Sequence, residues 1–83
     1  MDPEQLDERL GKAEGRVKRA EWIVAEQIKM IERLKDNGVD TTEETGLLRA
    51  FQELLVMHIG ERDRVREQLA MLVKFEVSTP REG

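Results

Sequence analysis

Proline, the residue that most strongly interrupts helices, occurs only near the two ends of this chain. Between Pro3 and Pro80 lie 76 residues (4–79) without it. Aromatic residues make up only 4% of the 83-residue sequence, so aliphatic side chains must supply the core. Apolar residues recur through the proline-free stretch at alternating intervals of three and four, which is the spacing of a packed helix face. The sequence therefore predicts an all-α protein.

The first predicted helix covers residues 3–36. Asp2 is a suitable N-cap, because its carboxylate can accept a hydrogen bond from a free backbone N–H of the first turn. Pro3 is a suitable first helical residue, because the N–H that it lacks would be unpaired there and its fixed φ suits the helix. Gly38 supplies the left-handed backbone with which many helices end. The apolar stripe between these signals is interrupted only by Gln27. Its members are Leu6, Leu10, Ala13, Val17, Ala20, Val24, Ile31 and Leu34.

The second predicted helix covers residues 41–76 and follows a turn at 37–40. The segment VDTTEE at the turn carries the hydroxyl and carboxylate groups that cap helix N-termini. A turn this short makes the helices antiparallel, so that residues 1–77 form one helical hairpin and 78–83 a disordered C-terminal tail. The second stripe consists of Leu48, Phe51, Leu55, His58, Arg62, Val65, Leu69 and Leu72.

A turn centred near residue 40 also predicts the pairing of the two stripes. The numbers of facing residues should add to about 82, because each step away from the turn on one helix is matched by a step on the other. Val24 is then expected to face His58, and Val17 to face Val65. The two stripes pair along their whole length in this arrangement.

Many apolar side chains lie outside these stripes, and a single hairpin cannot cover them. Burying six of them in a partner would contribute roughly 9 kcal/mol, at about 1.5 kcal/mol each, before the entropy of association is subtracted. We therefore expect a homodimer in which two hairpins form a four-helix bundle. The alternative is a monomer with scattered exposed apolar residues. The residues expected in self-association are Trp22, Ile23, Ile28, Met30, Leu54, Val56, Met57 and Ile59.

Polar residues on the stripes predict structure rather than catalysis. Gln27, His58 and Arg62 are expected to form a central polar layer, which can fix the register of a bundle. His58 is the only histidine and there is no cysteine, so neither a zinc site nor a thiol nucleophile is expected. We predict no catalytic residues, no cofactor and no bound metal, and hence a non-enzymatic structural or protein-interaction module.

Charge is unevenly distributed, although the net charge is only −4. Residues 9–19 and 61–74, which lie side by side in the predicted hairpin, hold nine basic and four acidic residues, a local balance of +5. An alternative function follows, that of a small nucleic-acid-associated regulator that uses this basic end. A solvated polyampholyte surface is the simpler interpretation. The residues available for anion contact are Lys12, Arg16, Lys18, Arg19, Arg64 and Arg66.

The N-terminal segment MDPEQLDERL is acidic and has no apolar run. Secretory signals need such a run, and no apolar stretch of the chain is long enough to cross a bilayer. The expected location is the cytoplasm, and no membrane partner is expected.

Short motifs within residues 13–69 resemble a group of small, uncharacterised bacterial helical-hairpin proteins. These motifs are I-x-x-L at 31–34, G-x-D-T at 38–41, L-L-x-x-F at 47–51 and H-x-x-x-R-D-R at 58–64. The resemblance implies a hairpin fold and an intracellular bacterial setting, and it assigns no functional residue. His58 on a dimeric hairpin also resembles the phosphoacceptor domain of sensor histidine kinases. In that family an acidic residue follows the histidine, whereas here Ile59 follows it.

Overall fold

The computed structural model describes residues 3–78, which form two helices joined by a short turn. Helix α1 spans Pro3–Asp36 and helix α2 spans Thr42–Ser78. The all-α hairpin agrees with the fold expected from the sequence. Helix α2 starts one residue later than predicted and includes Ser78, where the tail was expected to begin. The remainder of that tail, 79–83, and the predicted N-cap Asp2 lie outside the described residues.

The end of α1 is closed by a tight hydrogen-bonded turn. The Val39 N–H donates to the Leu34 carbonyl at 2.9 Å, and the Gly38 N–H donates to the Lys35 carbonyl at 3.0 Å. This pair of bonds requires a left-handed residue just after the helix, and Gly38 has a φ of 73°. Glycine adopts this conformation without the steric penalty of a Cβ atom. The turn therefore reverses the chain immediately after Asp36.

The start of α2 is held by a side chain from the turn. Asp40 Oδ1 accepts hydrogen bonds from the Thr42 backbone N–H at 3.1 Å and from the Thr42 hydroxyl at 2.7 Å. These two bonds stabilise the carboxylate and lower the pKa of Asp40. The Thr41 carbonyl accepts the first helical bond, from Thr45 at 2.9 Å. Asp40 therefore caps α2 from two residues before its first residue.

The core is one seam between the helices, and the two helices contribute to it unequally. Six residues of α1 are buried, whereas on α2 only Val65 is buried among the side chains that the structure describes. The other members of the α2 stripe are half-buried. A contact between two helices covers one narrow strip of each, and the apolar surface of α2 is wider than that strip. The buried residues of α1 are Leu6, Ala13, Val17, Ala20, Gln27 and Ile31.

The pairing of the helices is displaced from the predicted register. Ion pairs that cross the seam join Arg16 to Glu61 at 3.9 Å and Glu14 to Arg66 at 3.3 Å. Their residue numbers add to 77 and 80, so the predicted sum of 82 is wrong by about one helical turn. The physical reason is the tight turn after Asp36, which moves the centre of reversal toward residue 39.

Candidate functional site

One broad face of the hairpin carries a continuous apolar surface in the half that is nearer to the turn. Ile23 of α1 lies beside Phe51 and Leu54 of α2, where they line one shallow pocket. Residues seven apart occupy nearly the same angular position on a helix, so Met30 extends this surface along α1 and Leu47 extends it along α2. We call these residues, together with Met57, the apolar patch. Its members are Ile23, Met30, Leu47, Phe51, Leu54 and Met57.

The apolar patch is incompletely covered. Leu47, Leu54 and Met57 each keep 47–48% of their surface exposed. With Ala50, these three residues are spaced three, four and three apart along α2, which is the spacing of a helix-packing seam. Helix α2 therefore presents a second seam beside the one that contacts α1.

The half of the same face that is farther from the turn forms a basic groove. Arg9, Lys12 and Arg16 of α1 line one wall, while Arg64 of α2 contributes a fourth cation from the other wall. Glu61 is the one carboxylate in the lining, so the side chains of the groove sum to +3. Its floor contains two buried core residues, which hold the walls in place. The full lining of the basic groove is Arg9, Lys12, Ala13, Arg16, Glu61, Arg64, Val65 and Gln68.

The apolar patch and the basic groove meet at Arg16, which lines both depressions. Glu61 Oε2 lies 3.9 Å from Arg16 Nη1 and 3.7 Å from His58 Nδ1. Both distances exceed that of a hydrogen bond, and the buried His58 Nδ1 has no hydrogen-bond partner within residues 3–78. At i,i+3 spacing, a protonated His58 would pair with Glu61. The junction thus places one carboxylate between a histidine and an arginine.

Several residues predicted for self-association lie on other surfaces. Trp22 precedes Ile23 by one residue, which places it about 100° around α1 and away from α2, and it is 63% exposed. Val56 is two residues from Leu54, which places it about 200° around α2, and it is 69% exposed. Ile28 is an exposed residue and Ile59 a half-buried one. Of the eight predicted residues, Ile23, Met30, Leu54 and Met57 share the apolar patch.

The residues predicted for anion contact are also divided. Lys12, Arg16 and Arg64 line the basic groove, and Arg19 lines the neighbouring apolar pocket. Arg66 instead pairs with Glu14 across the opposite side of the seam. Lys18 is exposed and lines neither depression.

Gln27 and Arg62 of the predicted central polar layer form hydrogen bonds to residues outside that layer. Gln27 is buried, and its Nε2 donates to the Glu44 carbonyl at 3.0 Å. Glu44 lies 14 residues before His58 on α2, or about 21 Å along the axis. Arg62 bonds to the adjacent Asp63 at 3.1 Å. Gln27 therefore ties α1 to the first turn of α2, and the polar layer with His58 and Arg62 stays a prediction.

No family model, curated protein or solved structure matches the chain. The resemblance to bacterial hairpin proteins accordingly stays a prediction. Within residues 3–78, no three histidine or carboxylate side chains are grouped so that they could bind a metal ion. Neither helix contains, over its described length, a segment apolar enough to cross a bilayer.

Five residues of this face were not singled out as site residues by the sequence. They are Leu47, Ala50, Phe51, Arg9 and Glu61. A signal for the first two was present, since they continue the spacing of Leu54 and Met57 one position away from the seam stripe. Arg9 and Glu61 gain their significance only from the register, which brings their helices together at the groove. Sequence spacing alone does not specify that register.

Proposed function

We propose that the chain is a non-enzymatic helical module that self-associates through the apolar patch into a dimeric four-helix bundle. The observation that carries the proposal is the uneven burial of the two helices, since α2 has one buried side chain over residues 42–75 and its second seam is about half exposed. Exposed apolar surfaces of this kind generally mark sites at which a protein associates with a partner. The setting we propose for this association is the cytoplasm.

A second copy of the chain fits the apolar patch for geometric reasons. The patch contains residues from both helices, so its partner must also present two parallel ridges with a shallow depression between them. The same patch on another hairpin has that shape. Packing two such faces at the usual interhelical distance of about 8–10 Å gives four helices around one core. Ala50, a small residue in the middle of the seam, permits the close approach.

Thermal unfolding at several protein concentrations tests the proposal. If dissociation accompanies unfolding, the Tm rises as the protein is concentrated, because association stabilises only the folded chain. We expect a Tm increase of several degrees over a hundredfold concentration range. A Tm that is independent of concentration, with reversible two-state unfolding, would contradict self-association.

The basic groove favours a second candidate function, that of a nucleic-acid-associated regulator. Four cations against one carboxylate would attract phosphates. The net charge of −4 opposes this function, as does the placement of Lys18 and Arg66 outside the groove. The occupant of the groove decides between the two candidates.

A further inference from the structure

We infer that the dimer is antiparallel, with the acidic turn of each hairpin lying in the basic groove of its partner. This inference rests on the proposed self-association and specifies its geometry. It gives the groove an occupant of stated chemistry, a carboxylate-rich turn on a second copy of this chain.

The charge of the turn is opposite in sign to the charge of the groove. Residues 32–44 contain five acidic and two basic side chains, a balance of −3, against the +3 of the groove lining. Asp36, Asp40 and Glu43 are exposed. Glu43 lies one helical turn before Leu47, so it is on the same side of α2 as the apolar patch.

In the antiparallel arrangement, the position of the apolar patch along each helix brings the acidic turn of one copy over the basic groove of the other. On α2 the patch runs from Leu47 to Met57, so a two-fold axis through its centre lies at residue 52. Residues whose numbers add to 104 then face each other on the two copies of α2, and Asp40 faces Arg64. On α1 the centre between Ile23 and Met30 is at 26.5, where the corresponding sum is 53.

The α1 sum of 53 places the partner's Asp36 at the same level along the helix axis as position 17, next to Arg16. The two centres, 26.5 and 52, add to 78.5, which agrees with the sums of 77 and 80 observed across the seam. Two independent estimates, one from each helix, thus place the turn over the same part of the groove.

The parallel arrangement has the opposite electrostatic result. When both turns lie at the same end, the two apolar patches still cover each other. The two basic grooves, each with a charge of +3, then face each other, and the two acidic turns also face each other. Like charges brought together in this way disfavour association and suppress the wrong pairing. Apolar contact alone does not distinguish the two arrangements, so charge selects the antiparallel one.

A single spin label in the turn measures the orientation. The chain has no cysteine of its own, and Asn37 is exposed at the tip of the turn, so Asn37→Cys gives one labelled site per chain. The antiparallel dimer separates the two labels by about 30–35 Å, from 1.5 Å per residue on either side of the axis. The parallel dimer would bring them within about 20 Å.

Paired charge reversals test the contact itself. One variant carries Lys12→Glu and Arg64→Glu in the groove; neither side chain forms an ion pair with another described residue, so the hairpin should remain intact. The other variant carries Asp40→Lys in the turn, and Asp40→Asn, which keeps an oxygen to accept the bonds from Thr42, is its control. Each variant alone should associate at least about tenfold more weakly than the unmodified chain. Mixing them should restore association as a heterodimer, because both contacts are then complementary.

The outcomes separate this inference from the proposed function. A labelled chain that sediments as a monomer overturns both. A dimer with labels closer than about 20 Å, or one indifferent to both reversals, overturns the orientation and leaves self-association standing. Salt-sensitive binding of duplex DNA to the unmodified chain, lost in the groove variant, would assign the groove to nucleic acid and also overturn the inference. The expected result is long label separation, selective heterodimers and no such DNA binding.

Discussion

Leu54→Asp is expected to convert the dimer into a folded monomer. Leu54 lies two residues from the centre of the apolar patch, so both copies lie near the two-fold axis. Losing about 1.5 kcal/mol of burial from each copy gives about 3 kcal/mol, which raises Kd at least about 100-fold, before the desolvation of two carboxylates is added. Sedimentation velocity over a concentration series measures the change. Circular dichroism should show unchanged helix content, since residue 54 is exposed in the single hairpin.

Val56→Asp provides a matched control for this prediction. Val56 lies on the same helix, two residues away, and is more exposed than Leu54. Because it points about 200° around the helix, the same charge should leave Kd within a few-fold of the unmodified value. Dissociation of both variants to the same extent would show that the partner covers a different face.

Ile31→Ala is expected to lower the free energy of unfolding by about 2–5 kcal/mol. Ile31 is 6% exposed in the seam near the turn, and its truncation leaves a cavity between the helices. A loss of this size is a large fraction of the stability of a small domain. Urea unfolding monitored by circular dichroism measures it. All comparisons require one fixed protein concentration, because folding and association are coupled.

Ile28→Ala is the control for the seam. It removes the same atoms three residues away, where the side chain is 38% exposed and outside the apolar patch. We expect a loss below about 1 kcal/mol. Equal losses at residues 28 and 31 would mean that the seam does not determine stability as the structure indicates.

The helical hairpin was predictable because its signals are local. The spacing of the apolar stripes, the proline-free interior and the left-handed Gly38 each act over a few residues, and all of them agree. Residues such as Val17 and Ile31 could be assigned to the core for the same reason.

The register and the composition of the site were not predictable in this way. A heptad stripe pairs equally well after a slip of about one turn, because small and apolar residues recur at the same spacing. The hydrogen bonds from Val39 and Gly38 decide how early the chain reverses, and that backbone detail moves every pair by several residues. The buried amide of Gln27 reaches the Glu44 carbonyl, and the register determines that Arg9 and Arg64 line the same groove.

A hairpin of two helices has few buried side chains with which to stabilise its own fold. The two helices meet in one seam, and on α2 a single described side chain, that of Val65, is buried. Closing a second face over the apolar patch would remove the half-exposed residues from water and give α2 a core on two sides. The stability of the fold and the function we propose therefore depend on the same surface.

Sedimentation equilibrium of the unmodified chain at micromolar concentration and near-physiological salt tests the central claim. Self-association through the apolar patch predicts a mass near twice 9.6 kDa. A mass of 9.6 kDa, for a chain that is fully helical and unfolds cooperatively at that same concentration, would contradict it.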